Sequence, residues 1–211
     1  MDTARTPRIA RAARSLAALA VLAGAGPLLA PSAIAAMADD PRVHGTARAV
    51  VRNVDGAALG VVKVTGTRAG RLVIGGRLTG LTPGVHGFHV HATGRCDPAA
   101  TDAAGNAAPF ATAGGHLNPA GVDHGRHAGD LPVLLAGRDG AARSTVQSDA
   151  VTFADIFDAD GSALVVHALP DNYANVPTRY SSAAGRPGPD ATTLGTGDSG
   201  GRVACGVITR S

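Results

Sequence analysis

The chain of 211 residues has no tryptophan, no glutamate, four phenylalanines and two tyrosines. So few aromatic side chains, with no basic stripe among them, argue against a surface that binds nucleic acid. The absence of glutamate and of an H-E-x-x-H pattern argues against a zinc hydrolase, which needs a general base beside an open metal position. The composition therefore disfavours two common classes of function.

The first 35 residues have the pattern of a secretory signal peptide. Basic residues precede the apolar run 16–30, and Ala33-Ile34-Ala35 offers an A-x-A cleavage site. We favour this interpretation over a membrane anchor, because the run is shorter than the roughly 20 residues of a spanning helix. We expect 1–35 to be removed, leaving a short segment, 36–42, before one domain, 43–211. The mature protein would lie in the periplasm, the cell envelope or the exterior, free of the membrane.

Export would also change the charge. The whole chain has 19 basic and 16 acidic residues and a formal charge of +3. The segment 1–35 contains four of the arginines and one aspartate, so the mature protein would carry no net charge. Its overall charge thus gives no support for a nucleic-acid partner.

Cysteine is nearly absent as well. The two cysteines, Cys96 and Cys205, are far from the cleavage site and cannot serve there as a lipid anchor. In an exported chain they predict one disulfide, the alternative being two free buried thiols. Such a bond would close a loop of about a hundred residues and stabilise the fold by roughly 4–5 kcal/mol in the chain-entropy model.

Short β-rich runs separated by glycine and aspartate predict an all-β sandwich or barrel. Two long stretches, 92–130 and 169–201, interrupt these runs, and loops of that length usually carry function. We expect a third, shorter segment, Asp155 to Asp160, to be an acidic surface loop, a helical turn being the alternative. The eight predicted strand runs are 43–54, 59–66, 71–79, 84–91, 131–136, 142–152, 163–168 and 202–208.

Histidines carry the strongest functional signal. His89 and His91 are two residues apart in a predicted strand, so both rings face the same way. Imidazole and carboxylate are ligands of first-row metals, and six of the eight histidines fit one site. The other members of this set are His116, His124, His127, Asp130 and His167.

At these residues the chain resembles the copper/zinc superoxide dismutases. The matching motifs occur in family order and cover residues 43–209. The first cysteine follows the second of the paired histidines by five residues, as in the bacterial branch of the family. The motifs are GVHGFHVH (84–91), GGHLNP (114–119), HAGDLP (127–132), VVH (165–167) and GRVACGVI (201–208).

The resemblance implies an eight-stranded, flattened Greek-key barrel, similar to an immunoglobulin sandwich, with two long functional loops. It also implies one copper and one zinc per subunit, with His116 shared between them. Four imidazoles suit a redox-active copper, and three nitrogens with one oxygen suit a closed, structural zinc site. The implied copper ligands are His89, His91, His116 and His167, and the implied zinc ligands are His116, His124, His127 and Asp130.

Further roles follow from the same resemblance. Asp171 would accept hydrogen bonds from one copper histidine and one zinc histidine, His89 and His124. Arg202 would attract superoxide at the rim of the copper pocket. His86 would be a structural histidine that orients the loop near the copper strand and is not a ligand.

The implied activity is dismutation of superoxide to dioxygen and hydrogen peroxide, with His116 and Arg202 as the catalytic side chains. A copper-binding or copper-delivering protein on the same barrel is the alternative, although relatives of that kind usually lack some of these residues. The resemblance allows a homodimer without requiring one. One departure from the family is the short spacing of His124 and His127, which could weaken zinc binding.

Overall fold

The structure, a computed structural model, describes residues 45–211, and its regular structure is nearly all β. The expected signal peptide, the segment 36–42 and the first two residues of the predicted strand run 43–54 lie outside the described residues. The strands in this range are β1 (Thr46–Asn53), β2 (Ala58–Gly66), β3 (Leu72–Leu78), β4 (Gly84–His86), β5 (Phe88–His91), β6 (Leu134–Ala136), β7 (Ala142–Ser148), β8 (Ala163–His167) and β9 (Arg202–Arg210). The helices there are a 3₁₀ turn (Ala111–Ala113), α1 (Phe153–Ile156) and α2 (Ala191–Thr196).

The strands form a curled antiparallel sheet. Seven of them hydrogen-bond in the order β5-β8-β9-β1-β2-β3-β7, and β4 pairs with β6 in a separate ribbon. Because β4 leads into the edge strand β5 and β6 leads into the opposite edge strand β7, this ribbon links the two edges. The predicted all-β architecture is confirmed.

Alternating burial explains why β1 and β2 are strands on the surface of the barrel. In β1, Ala47, Ala49 and Val51 are buried while the residues between them are exposed, as expected when one face of a sheet covers a core. By contrast, every residue of β5 and β8 is buried. Long loops therefore cover the outer side of these two strands, and that is where the histidines lie.

Two local expectations need correction. The predicted run 84–91 is divided at Gly87, whose amide donates to the carbonyl of Leu169 and whose position leaves no room for a Cβ beside Ser199. The expected acidic loop at Asp155 was wrong for its first part, which is helix α1. Thr152 and Asp155 form a capping box there, and buried Phe153 anchors the turn.

The predicted disulfide is present and anchors the first long loop. Cys96 in that loop is bonded to Cys205 in β9, with their Cα atoms 5.7 Å apart and a sequence separation of 109. The loop returns to β5 through isolated bridges that pair His91 with His116 and His89 with Asp130. Among residues 45–211, no helix is long and apolar enough to cross a membrane.

Candidate metal centre

The predicted copper ligands meet at one place. His89 and His91 project from β5, His167 ends the neighbouring strand β8, and His116 reaches them from the first long loop. All four are buried, and one ring nitrogen from each lies within 4.8 Å of those of the others. The structure therefore brings together the whole predicted set, and we call these four histidines the copper group.

In His91 and His167, a hydrogen bond from the ring nitrogen that faces away from the group sets the orientation of the ring. His91 Nδ1 donates to the carbonyl of Gly114 at 2.9 Å, and His167 Nδ1 donates to that of Gly200 at 3.0 Å. Their Nε2 atoms then carry lone pairs, yet these two atoms lie only 3.2 Å apart. His89 Nδ1 is buried without a hydrogen-bond partner. Inward-facing lone pairs and an unpaired buried nitrogen fit a cation such as copper.

A second group of donor atoms adjoins the first around Asp130. We call its members, the predicted zinc ligands His116, His124, His127 and Asp130, the zinc group. Its Oδ1 lies 3.0 Å from His116 Nδ1 and 3.3 Å from both His124 Nδ1 and His127 Nδ1, and His116 Nδ1 lies 3.4 Å from His127 Nδ1. A tetrahedron with zinc–nitrogen bonds of about 2.0–2.1 Å has edges of about 3.3–3.4 Å. These four separations are close to that value. His124 Nδ1, moreover, is buried and makes no hydrogen bond.

His127 is the one predicted zinc ligand that lies outside the most compact set of donor atoms. The group whose donor atoms all lie within 4.8 Å of one another comprises His89, His116, His124 and Asp130. His89, however, directs its Nε2 to Asp171, and its Nδ1 is the buried nitrogen without a hydrogen-bond partner noted above. The Nδ1 of His127, the fourth zinc ligand that the resemblance implies, lies beside both His116 Nδ1 and Asp130 Oδ1.

Asp171 connects the two groups. Its Oδ2 accepts from His89 Nε2 at 2.6 Å, and its Oδ1 accepts from His124 Nε2 at 2.8 Å. The carboxylate thus orients one ring of each group, in the arrangement that the resemblance implies. Gly197 packs directly on this contact with a φ of +59°, and a Cβ there would overlap Asp171 Oδ1.

Comparison with known proteins shows the family of this chain. The family model described as copper/zinc superoxide dismutase matches residues 58–208. The chain belongs to the copper/zinc superoxide dismutase family. The resemblance stated from the sequence is therefore confirmed, and membership implies copper and zinc as the cofactors.

Two relatives bear the name of the family, "Superoxide dismutase [Cu-Zn]". The one from Mycolicibacterium paratuberculosis is 43% identical over 130 residues, which is 61% of this chain and 57% of that protein. The one from Mycobacterium tuberculosis is 45% identical over 130 residues, 61% of this chain and 54% of that protein. The match thus spans only a little over half the length of these curated relatives.

Solved structures with a similar fold include two others. The clock protein EA4 has a TM-score of 0.58 at 30% identity and covers 79% of this chain and 94% of its own. A double mutant of a SOD-like protein from Bacillus subtilis has a TM-score of 0.55 at 29% identity and covers 75% and 94%. Both similarities support the barrel fold of the family.

The ionisation of the site suits the two metals of the family. Burial lowers the pKa of His116 to about 4 and that of His167 to about 3, in spite of hydrogen bonds that favour the charged form. Burial also holds the pKa of His91 well below its ordinary value. These rings are therefore neutral near pH 7 and available as ligands.

His124 has the opposite balance. Burial by itself would lower the pKa of His124, but Asp130 and Asp171 beside it raise it to about 9. Burial likewise opposes ionisation of both carboxyls, yet their histidine partners hold the pKa of each well below its usual range. Two carboxylates at this site favour a bound cation, whether a proton on His124 or a metal ion.

Arg202 lies at the mouth of the copper group, as the family pattern implies. Its guanidinium donates to the carbonyls of Phe110 and Gly114, and the latter also accepts from His91. Arg202 lines a cavity of about 430 Å³ together with His91, His116 and His167. Burial lowers the pKa of Arg202, but an arginine stays charged at neutral pH. His86 lies elsewhere, with Nδ1 on the carbonyl of His167 and Nε2 on that of Thr82.

Several contributors to the site were not found from the sequence. Asp198 lines the same cavity as Arg202. The carbonyl of Leu194 in α2 accepts from the amide of His124. Tyr173 stacks over the His124 ring and hydrogen-bonds the chain before β6 through its hydroxyl. Only the position of Tyr173, two residues after Asp171, was a signal that could have drawn attention to it.

Proposed function

We propose that this protein dismutates superoxide, with copper held by His89, His91, His116 and His167 and zinc by His116, His124, His127 and Asp130. The observation that carries the proposal is the pair of adjoining buried donor groups that share His116 beneath one arginine-lined cavity. Copper held there supplies the one-electron redox chemistry that converts two superoxide anions and two protons into dioxygen and hydrogen peroxide.

Arg202 binds the substrate. Superoxide carries a single negative charge, and the Arg202 guanidinium is the only cationic side chain among the described residues that line the cavity. Its hydrogen bonds to two carbonyls hold it in place. The anion is therefore attracted to a fixed donor next to His91 and His116.

His116 handles a proton. Its Nδ1 faces Asp130 and the zinc group, which leaves Nε2 on the copper side. The low pKa of the buried ring keeps Nε2 unprotonated at rest. His116 Nε2 is thus the ring atom that can hold a proton within reach of the substrate, while the other proton comes from solvent.

Export completes the proposal. The named relatives are bacterial, and the disulfide is typical of an oxidising compartment. With removal of the segment 1–35, the enzyme would act in the envelope or outside the cell on superoxide arising there.

Metal analysis combined with turnover tests this function against copper delivery. We expect about one copper and one zinc per chain, as in two adjoining filled sites, and rapid decay of superoxide in pulse radiolysis. Copper binding without turnover would favour delivery instead. The retained Arg202 favours turnover, because a protein that only carries copper does not need a fixed cationic group that attracts an anion.

A further inference from the structure

The outer face of the barrel opposite the core carries a band of positive charge. Four exposed side chains point outward from neighbouring strands: Arg48 in β1, Lys63 in β2, Arg77 in β3 and Arg143 in β7. They are far apart in sequence, and only strand pairing brings them together. We call these four residues the cationic band.

The register makes the band continuous. Arg48 is directly opposite Lys63 in the β1–β2 pair, and Arg77 is directly opposite Arg143 in the β3–β7 pair. Lys63 is opposite Gly75, two residues from Arg77, so Lys63 and Arg77 are diagonal neighbours at about 7–8 Å. Each member is therefore next to another along a path across four strands.

No acidic residue neutralises the band within the sheet. Every acidic residue of 45–211 lies in a loop, a turn or a short helix, and none is in a strand. Within that range, no member of the band forms an ion pair or a side-chain hydrogen bond. Like charges directly opposite each other destabilise a sheet. The uniform sign thus has a cost to folding that binding of an anion would offset.

A groove extends the band at one end. Arg48 also lines a cavity of about 360 Å³ at β1 and β9, and Arg52 lies on the same rim. Arg52 is held in place there by donating to the carbonyl of Gly56. The cationic path therefore continues along β1 from Arg48 to Arg52, beyond the four residues of the band.

The shape of this cationic path favours a linear polymer as its binding partner over a membrane or a second copy of the protein. The turns beyond one end of the strands carry exposed Asp55 and Asp139, which would oppose a broad anionic membrane but leave room for a narrow polymer. A second copy placed symmetrically on this face would set the arginines against one another. The outward residues between the cations are Val50, Val61, Gly75 and Thr145, and none is an aromatic that could stack on a base.

We infer that the cationic band binds a flexible linear polyanion whose charges are phosphate groups. Arginine recognises phosphate through two parallel hydrogen bonds, and lysine binds it as a point charge. Binding would retain the protein at a phosphate-bearing polymer without covering the copper cavity, which is lined by other residues. The inference does not depend on the proposed activity.

Fluorescence anisotropy with labelled medium-chain inorganic polyphosphate tests it. The test variant is Lys63→Gln with Arg77→Gln, at the centre of the band, and the matched control is Arg179→Gln with Arg186→Gln, in the second long loop. Both lose two charges. We expect the band variant to bind at least about tenfold more weakly and the slope of log K against log salt to shrink by about 1.5–2. The control should stay within about twofold of the wild type.

Three results would overturn the inference. Equal weakening of both variants would mean that overall charge, not the band, attracts the polymer. Tighter band-dependent binding to vesicles of phosphatidylglycerol and phosphatidylcholine would assign the surface to a membrane. Tighter binding to polyaspartate than to polyphosphate would show that the band does not select phosphate. Far-ultraviolet circular dichroism of both variants separates these results from misfolding.

Discussion

The ring of Tyr173 lies over the ring of His124, with the centroids 6.4 Å apart and the planes within 11° of parallel. Tyr173 also contacts the segment between His124 and His127, because its carbonyl oxygen occupies the space where a Cβ on Gly125 would be. Its hydroxyl hydrogen-bonds the backbone at Leu131 and Val133. Tyr173 thus clamps the second long loop onto the short His124–His127 segment.

Loss of this clamp should weaken zinc binding. We expect Tyr173→Ala to lower zinc affinity by about tenfold or more, as is common for residues that position a ligand, while Tyr173→Phe retains the stacked ring and recovers part of the loss. Competition with a chromogenic chelator measures the affinity. Tyr180→Ala, an exposed tyrosine in the same loop, is the control. Equal affinities for wild type and Tyr173→Ala would show that the short loop holds zinc without the clamp.

Asp130→Ala should remove zinc and stability together. Asp130 contacts three histidines and also accepts from the amides of Gly125 and His127. A closed site contributes its binding energy to the folded state, so metal analysis should show zinc lost, copper retained and a lower melting temperature. Asp123→Ala, in the same loop, is the matched control.

Comparison with His127→Ala then tests the fourth zinc position. If His127 is a ligand, its replacement should reduce zinc occupancy as Asp130→Ala does. A His127→Ala protein with full zinc would assign that position to another group. Wild-type protein that is offered both metals and takes up copper alone would contradict the zinc site as a whole.

Charge reversal at Arg202 should slow turnover without removing copper. The guanidinium is beside the copper group but is not a ligand, so Arg202→Glu repels superoxide while the four imidazoles stay in place. Pulse radiolysis should show a fall in rate of at least about tenfold, and added salt should slow the wild type but not the variant. Arg95→Glu, exposed in the disulfide loop, is the control. Unchanged turnover in fully metallated Arg202→Glu would remove this residue from the mechanism.

The metal-free protein should lose stability on both sides of about pH 6.5, the ordinary histidine value. Below that pH, His91, His116 and His167 bind protons in the unfolded chain but stay neutral in the folded protein, where their pKa values are lowered. The folded pKa is about 4 for His116 and about 3 for His167. Stability therefore falls with pH by up to about 4 kcal/mol per unit for three protons. Above pH 6.5, stability conferred by protonated His124 is lost as pH rises through its pKa of about 9.

Urea denaturation of the metal-free protein from pH 4.5 to 9.5 measures this profile. His167→Gln should reduce the acid slope by about one proton, or roughly 1.4 kcal/mol per pH unit. A flat profile between pH 4.5 and 6.5 would contradict the assignment of neutral rings.

Export predicts a mature N-terminus near Ala36. Ala33 and Ala35 supply the small residues that a signal peptidase needs. Mass spectrometry of protein recovered outside the cytoplasm decides it, and replacing both alanines with leucine should block processing. Active protein that retains residues 1–35 would overturn this expectation.

The sequence by itself determined the family, the all-β class, the cysteine pair and the set of candidate ligands. These are local signals: alternating burial follows from side chains that point to opposite faces of a strand, and His89 and His91 share a face for the same reason. The motifs around His116 and Asp130 are likewise contiguous in the chain. The fold of residues 45–211 was therefore predicted in outline, apart from the break at Gly87, the helix at Phe153 and the short helical elements within the two long loops.

Only the tertiary structure decided how distant residues combine. Tyr173 and the carbonyl of Leu194 act on His124 through contacts about fifty to seventy residues apart in sequence, and a local pattern carries no information about such contacts. The cationic band had no sequence signature, because a chain with nearly balanced charges can still collect one sign on one face. That segregation depends on strand register, since a shift of one residue would turn every one of these side chains toward the core.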